Sequence, residues 1–229
     1  MNISVVEALE KVLAPNQILV NEAVSERSHH IWRMDTPLQA VAVVLPKNTE
    51  DVAEILKICH LHNQAVVVHG GMTNMVGSTE TQGEELVISM EKMNRIEELD
   101  ESSRTMTVQA GAILQDIQEV AGEKGLLFPL NFGAKGSAQI GGVISTNAGG
   151  MRVVKYGMTR HLILGVEAVL ADGTVINSLK KIIKDNSGFD LKQLFIGSEG
   201  TLGIVTKAVL KLLEAPSSRN SAFVALDTY

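Results

Sequence analysis

The sequence predicts an α+β chain in two subdomains: a small parallel β-α-β unit, then a larger, mainly antiparallel sheet with helices. Three observations predict it. Over residues 40–69 a buried-strand run, an amphipathic run and a second strand run follow one another, the order that needs a crossover helix between parallel strands. After Gly77 the strand-like runs become short and follow each other without long helices between them, as in antiparallel sheets. Hydrophobic residues make up 45% of the 229, enough for a real core and unlike a disordered chain.

Val5, Val6, Leu9, Val12 and Leu13 share one helical face, which predicts an amphipathic helix over residues 3–13. Residues 21–39 are polar and mixed and read as an irregular linker. "AVAVVLP", Ala40 to Pro46, reads as a short buried strand closed by proline. A helix starts at Asn48 or Thr49, with Glu50 and Asp51 at its positive end. Its buried stripe is Val52, Ile55, Leu56 and Cys59, so Cys59 reads as a small core residue and not a reactive thiol. Strand 65–69 follows and runs into "HGGMTNMVG". Open α/β sheets hold their ligands at this end of a strand.

"ELVISM", "RIEEL" and "TMTVQAG" then read as strands. A helix is expected at about 112–124, with Ile113, Ile117, Val120 and Ala121 on one face and Gly125 as its stop. "LILGVEAVL", the turn "ADG" and "TVINSL" make a hairpin, and a long strand, "TLGIVTKAVLKLLE", closes the region at Pro216. "SSRN" reads as a linker and "SAFVAL" as the start of a new strand.

Composition excludes several functions. A net charge of −6 and 3% aromatics argue against a nucleic-acid partner. One cysteine allows no internal disulfide and no cysteine-based zinc site. His29 and His30 read as surface residues, and with His60, His62 and His161 they show no metal-ligand spacing, so no metal is expected. Residues 1–14 lack the pattern of a signal peptide, and no stretch reaches the roughly 18 apolar residues of a membrane span. A soluble, cytoplasmic location is the resulting expectation.

The 20 glycines gather at 70–77, 133–157 and 197–203. Glycine turns let backbone N–H groups surround an anion without any lysine. Neither G-x-x-x-x-G-K-[ST] nor G-x-G-x-x-G is present in the first cluster. By itself that GG-x-T turn is as compatible with a plain structural turn as with a ligand loop. "PLNFGAKGSAQIGGVISTNAGGMRVVKYG" and "FIGSEGTLGIVT" change the balance. With the first cluster they resemble, in order and spacing, the PCMH-type FAD-binding domain of the vanillyl-alcohol-oxidase kind, over roughly residues 35–217. "GAKGSAQIGG", "TNAGG" and "KDNSGFDLKQLFIGSEGTLGI" are most similar to the D-2-hydroxyglutarate, D-lactate and glycolate dehydrogenase branch.

The resemblance implies FAD between two subdomains. It implies that Gly70, Gly71, Met72, Thr73 and Asn74 hold the pyrophosphate through backbone amides, with Gly77 completing the turn. Pro129, Gly133, Ala134, Gly136 and Ser137 would form a second wall. Gly141, Gly142 and Asn147 would follow the flavin side, and Glu199, Gly203 and Ile204 the adenosine end. Val68, His69, Asn131 and Val143 depart from the family's usual residues, which weakens any transfer of side-chain roles to 69, 131 and 143. Covalent flavin links in relatives fall near position 72 or 73; Met72-Thr73 stands there, so the FAD is expected to be non-covalent. Arg152 and Lys155 are either solvated charges or charges near the flavin or a substrate carboxylate. Asp185 and Asp190 read as loop and capping residues. No catalytic residue is assigned.

The domain expectation is a helix and linker over 1–34, a flavin domain over 35–217 divided near 85, and the start of a substrate domain over 218–229. The implied activity is oxidation of a D-2-hydroxy acid to a 2-oxo acid, with electrons passed to a protein or quinone and oligomerisation open in a longer protein. The alternative is a flavin-carrying module or subunit without chemistry of its own.

Overall fold

The computed structural model of the chain describes residues 4–218 and 220–228, with Arg33 described by its backbone alone. The first helix, Val5–Leu9, is held by a capping box: Ser4 Oγ accepts from Glu7 N at 3.2 Å and Glu7 Oε2 accepts from Ser4 N at 2.9 Å. It is shorter than its periodicity predicts. Leu13 still reaches the core through a turn, its N–H donating to Leu9 O at 2.9 Å. Ile3, which opened the expected helix, lies outside the described residues.

Residues 21–39 are not a linker. They form a helix, Glu22–Ser25, and a hairpin of strands Ser28–His30 and Arg33–Pro37. Tertiary contacts order this polar stretch. Val24 and Leu38 are buried, and Arg27 grips Glu91 with two hydrogen bonds of 2.8 and 3.0 Å. His29 and His30, expected at the surface, are each 8% exposed because the hairpin lies against Thr79 and Glu80, which their ring nitrogens approach at 3.4 and 3.2 Å.

The first sheet has the order Ile18–Leu19, Ala42–Val44, Leu86–Ser89, Val66–His69. The last three strands are parallel. Leu86–Ser89, read from sequence as part of the antiparallel region, is instead inserted between the two strands of the β-α-β unit. A division near residue 85 would cut through this sheet. Its run of buried residues, Leu86, Val87 and Ile88, is what a parallel strand covered on both faces shows. The second sheet is antiparallel, in the order Val175–Ser178, Ile163–Val169, Ile204–Lys211, Thr105–Gln109, Ile96–Asp100. Helices Leu114–Glu123 and Ile140–Ser145 share a core with it, built on Ile117, Phe128, Ile144, Val166 and Leu210.

Helix Thr49–Leu61 joins the two sheets. Asn48 caps it, its side chain accepting from Asp51 N at 2.8 Å. Val52, Ile55, Leu56 and Cys59 pack with Val44 and Ile88 of the first sheet and with Val169 and Ile204 of the second. Burial pushes the Cys59 thiol up to about 11, which keeps it an inert core group.

A polar cluster closes the same junction. The buried Glu167 carboxylate accepts from Thr49 Oγ1 (2.5 Å), Thr206 Oγ1 (2.9 Å) and Asn177 Nδ2 (3.0 Å). Thr49 opens the helix, so the carboxylate also meets its positive end. Glu167→Ala leaves these donors without their acceptor. The expected loss is roughly 2 kcal/mol, read as a lower urea midpoint with an unchanged slope.

The last strand, Leu213–Glu214, pairs with Leu126–Leu127. "SAFVAL" forms no strand: residues 221–226 are exposed and pair with no strand among the described residues, and an alternating pattern becomes a strand only beside a partner. Arg219 of the expected linker and Tyr229 lie outside the described residues.

Candidate functional site: a cleft between the two sheets

A cleft of about 740 Å³ opens between the sheets. Its size suits a ligand larger than a metabolite fragment. Three segments make most of its wall: the loop leaving strand Val66–His69, the helix Ile140–Ser145 with the residues flanking it, and the turn entering strand Ile204–Lys211.

The loop supplies donors. The amide N–H groups of Gly71, Met72, Thr73 and Asn74 donate to no group among the described residues, and all four residues line the cleft. Met72 sits at φ +51°, an uncommon value for a side chain of its size. Consecutive unpaired amides around such a residue form a concave anion site. The Asn74 side chain faces away from a ligand's needs: its Nδ2 donates to Thr79 Oγ1 at 3.0 Å and its Oδ1 accepts from Val76 N at 3.2 Å. Behind the loop, His69 Nε2 lies 2.9 Å from the Thr79 carbonyl oxygen and spans the loop's two ends. Burial lowers the His69 pKa to about 4; nearby His29, Arg27 and His30 add to this and the Thr79 bond opposes it.

The second wall is less polar. Val143, Ile204 and Val205 face the cleft beside Gly142, whose missing side chain leaves open space. Gln139 Oε1 is buried there without a hydrogen-bond partner among the described residues.

The sequence-derived residues divide between wall and support. Gly70, Gly71, Met72, Thr73, Asn74, Gly141, Gly142, Glu199, Gly203 and Ile204 line the cleft. Gly77, Pro129, Gly133, Ala134, Gly136, Ser137 and Asn147 do not. Gly77 is a turn residue at φ +77° beside Glu80. Pro129 faces a small recess with Asn131, Gly150 and Arg152. Gly133–Gly136 make a 3-10 turn, and Ser137 after it presses its carbonyl on Gly71. Asn147 spends its Oδ1 on Arg160 N at 3.1 Å.

Ser78, Thr79, Gln139, Thr146 and Thr201 are wall residues that the sequence reading missed. Gln139 and Thr146 each precede a glycine motif directly, a signal that could have found them; Thr79 carries none. Arg152 and Lys155 do not line the cleft, and Lys155 Nζ lies 5.0 Å over the Tyr156 ring. Asp185 pairs with Lys180, which holds its carboxyl well below the usual range. Asp190 pairs with Lys192 at 2.6 Å. Among the described residues no group of three His, Cys, Asp or Glu side chains could hold a metal, and no helix is long and apolar enough to cross a membrane.

The FAD binding domain family matches residues 40–178, which contain the first two glycine clusters. The chain belongs to the FAD-binding domain family. FAD is therefore its cofactor. This FAD-binding domain is 42% identical over 217 residues to the mitochondrial D-2-hydroxyglutarate dehydrogenase of Bos taurus, covering 95% of the chain and 40% of that protein. It is 47% identical over 184 residues to a putative mitochondrial D-lactate dehydrogenase of Schizosaccharomyces pombe, covering 80% and 35%.

Among solved structures, an alkyldihydroxyacetonephosphate synthase superposes with a TM-score of 0.81 at 22% identity, over 93% of the chain and 41% of its own. Phl p 4, a grass pollen allergen with glucose dehydrogenase activity, gives 0.79 at 22%, over 93% and 44%. These likenesses show the fold, the PCMH-type FAD-binding fold. The FAD-binding domain thus spans about 40% of the length of the curated relatives it matches.

The cytoplasmic expectation is overturned. The dehydrogenases of Bos taurus, Danio rerio and Arabidopsis thaliana are all named mitochondrial. That expectation rested on the character of residues 1–14 and on the lack of a long apolar stretch, and neither is a property of the flavin fold.

FAD fits the groups present. Its pyrophosphate needs several donors and no facing cation, which the four free amides supply; its ring system suits the apolar second wall, and a hydroxyl or imide N–H of the flavin half matches the orphaned Gln139 oxygen in kind.

Proposed function

We propose that this chain is the FAD-binding half of an enzyme oxidising a D-2-hydroxy acid, of the 2-hydroxyglutarate, lactate or glycolate class, to the 2-oxo acid. The row of unpaired amides from Gly71 to Asn74 in the cleft carries the reading for the cofactor, and the named relatives carry it for the substrate class. When bound, FAD supplies the acceptor for the hydride leaving the hydroxyl-bearing carbon.

The chain's residues bind and orient. Gly71 to Asn74 hold the pyrophosphate by backbone amides, and Gly142 lets the cofactor approach the helix Ile140–Ser145. Val143, Ile204 and Val205 keep water from one side of the cleft. The FAD is non-covalent, a reading supported by His69: its ring is 2% exposed and its Nε2 is engaged with Thr79. Electrons pass on to a protein or quinone acceptor. The base and the carboxylate-binding groups lie outside the cleft residues described above.

Acid extraction of the purified chain, reconstituted with both flavins, is expected to release FAD over FMN. FMN as the dominant flavin would end the cradle assignment. The FAD-loaded chain should show no turnover with D-lactate, D-2-hydroxyglutarate or glycolate and an artificial acceptor. Rates in the ordinary range of about 1–1,000 per second would place the whole catalytic set within these residues. The full-length protein carrying this domain should bleach anaerobically with a D-2-hydroxy acid and not with its L-isomer. Retained colour with every such acid would favour a flavin-carrying module.

A further inference from the structure

The phosphate-facing loop is held from behind by a segment the sequence reads as a linker. Ile31 N donates to Met72 O at 3.3 Å, and Trp32 Nε1 reaches Thr73 O at 3.5 Å. In a trans peptide the C=O and the N–H of one unit point in opposite directions. Fixing the Met72 carbonyl on the hairpin therefore turns the Thr73 N–H away from it. Fixing the Thr73 carbonyl does the same for the Asn74 N–H. Both amides belong to the free donors of the cleft wall.

The far end of the loop is tied to the same hairpin. Thr79 Oγ1 donates to His29 O at 2.7 Å and accepts from Asn74 Nδ2 at 3.0 Å. Thr79 is 5% exposed, so this hydroxyl has no ready replacement in water. Three ties thus join residues 29–32 to residues 72–79, and each fixes a peptide plane or a side chain on the loop.

We propose that the hairpin Ser28–Pro37 is part of the cofactor site, a positioning element that aims the loop amides at the FAD pyrophosphate, with Thr79 as its principal link. The inference rests on the reading that FAD occupies this cleft. It assigns a cofactor role to residues 28–37, none of which is among the described residues that line the cleft. It also explains why a turn with few side-chain donors holds one shape: the donors stand behind it.

The test is a titration of the apo chain with FAD, followed by flavin fluorescence, in the parent and in T79V, T79S and W32F. Thr79→Val keeps the shape and removes the hydroxyl. FAD affinity is expected to fall roughly fivefold. Thr79→Ser restores the hydroxyl and should restore affinity. Trp32→Phe removes the longer, more exposed bond, and a loss of roughly two- to threefold is expected. Thermal unfolding of each apo protein separates aim from stability. Parent-like FAD affinity in W32F and in folded T79V, even with a lowered melting temperature, would overturn the proposal. Should T79V fail to fold, W32F and T79S decide it: parent-like affinity in W32F overturns it, and weakened binding in W32F beside parent-like T79S supports it. A parent chain that binds no FAD would instead overturn the occupancy reading, and the inference with it.

Discussion

Gly71→Val is expected to unfold the junction between the two glycine loops before it disturbs any ligand. A Cβ at residue 71 would stand 2.0 Å from Ser137 O and 2.9 Å from Ala138 Cα. Both are backbone atoms, so no rotamer change relieves the clash. The segment behind them is anchored as well, Leu114 N donating to Ala138 O at 2.9 Å. Overpacking against fixed backbone costs roughly 3 kcal/mol or more, a large share of a domain's stability. The urea midpoint should drop sharply and the variant should be poorly soluble.

Gly142→Ala is the counterpart. Among the described residues no atom beyond its chain neighbours and its own helix backbone lies within 4 Å of its added Cβ, and the residue faces the cleft from within a helix. Stability should hold or rise by up to about 1 kcal/mol, while FAD affinity falls. A stable Gly71→Val protein that has lost only its flavin would contradict this division of roles. The family resemblance placed the ligand at Gly71; the structure adds that Ser137 already occupies the space its missing side chain leaves.

Acidification from pH 6.5 to pH 4 is expected to remove roughly 3 kcal/mol of stability through His69 alone. The ring is buried and neutral in the fold, with a pKa lowered from 6.5 to about 4. Between these values the unfolded chain takes up a proton that the folded chain refuses. Stability is therefore complete above pH 6.5 and declines as pH falls toward 4. The groups around the ring are His29 and His30 of the hairpin, Arg27 paired with Glu91, and Glu80, which lies 3.2 Å from His30 Nε2. Protonation would place a cation next to Arg27 with no carboxylate of its own. Because His69 bridges to Thr79, the loss should begin at the loop, and bound FAD should leave before global unfolding. Urea midpoints measured every half pH unit in the parent and in His69→Leu provide the check. The variant is weaker at neutral pH but should lose this part of the slope; an unchanged slope would show that another group carries it.

Elements whose signals are local were legible before any tertiary contact was known. The cap at Asn48, the stripe Val52, Ile55, Leu56 and Cys59, the hairpin around Asp172-Gly173 and the helix stopped by Gly125 follow from spacing and turn chemistry within a few residues. The family was legible too, because its glycine motifs are contiguous. The remaining features depended on contacts between distant segments. Leu86–Ser89 has the same apolar run whether it joins a parallel or an antiparallel sheet, and only its neighbours Ala42–Val44 and Val66–His69 decide. Residues 21–39 look like a linker because what orders them is Glu91, Met72 and Thr79, all more than forty residues away.

The glycines divide for the same reason. Gly71 and Gly142 look alike in sequence, yet one meets the Ser137 backbone and the other meets open space. At these two positions the glycine by itself signals only that the backbone is left bare. What stands in the vacated volume, another loop or a ligand, is set by how the two sheets come together around the helix Thr49–Leu61.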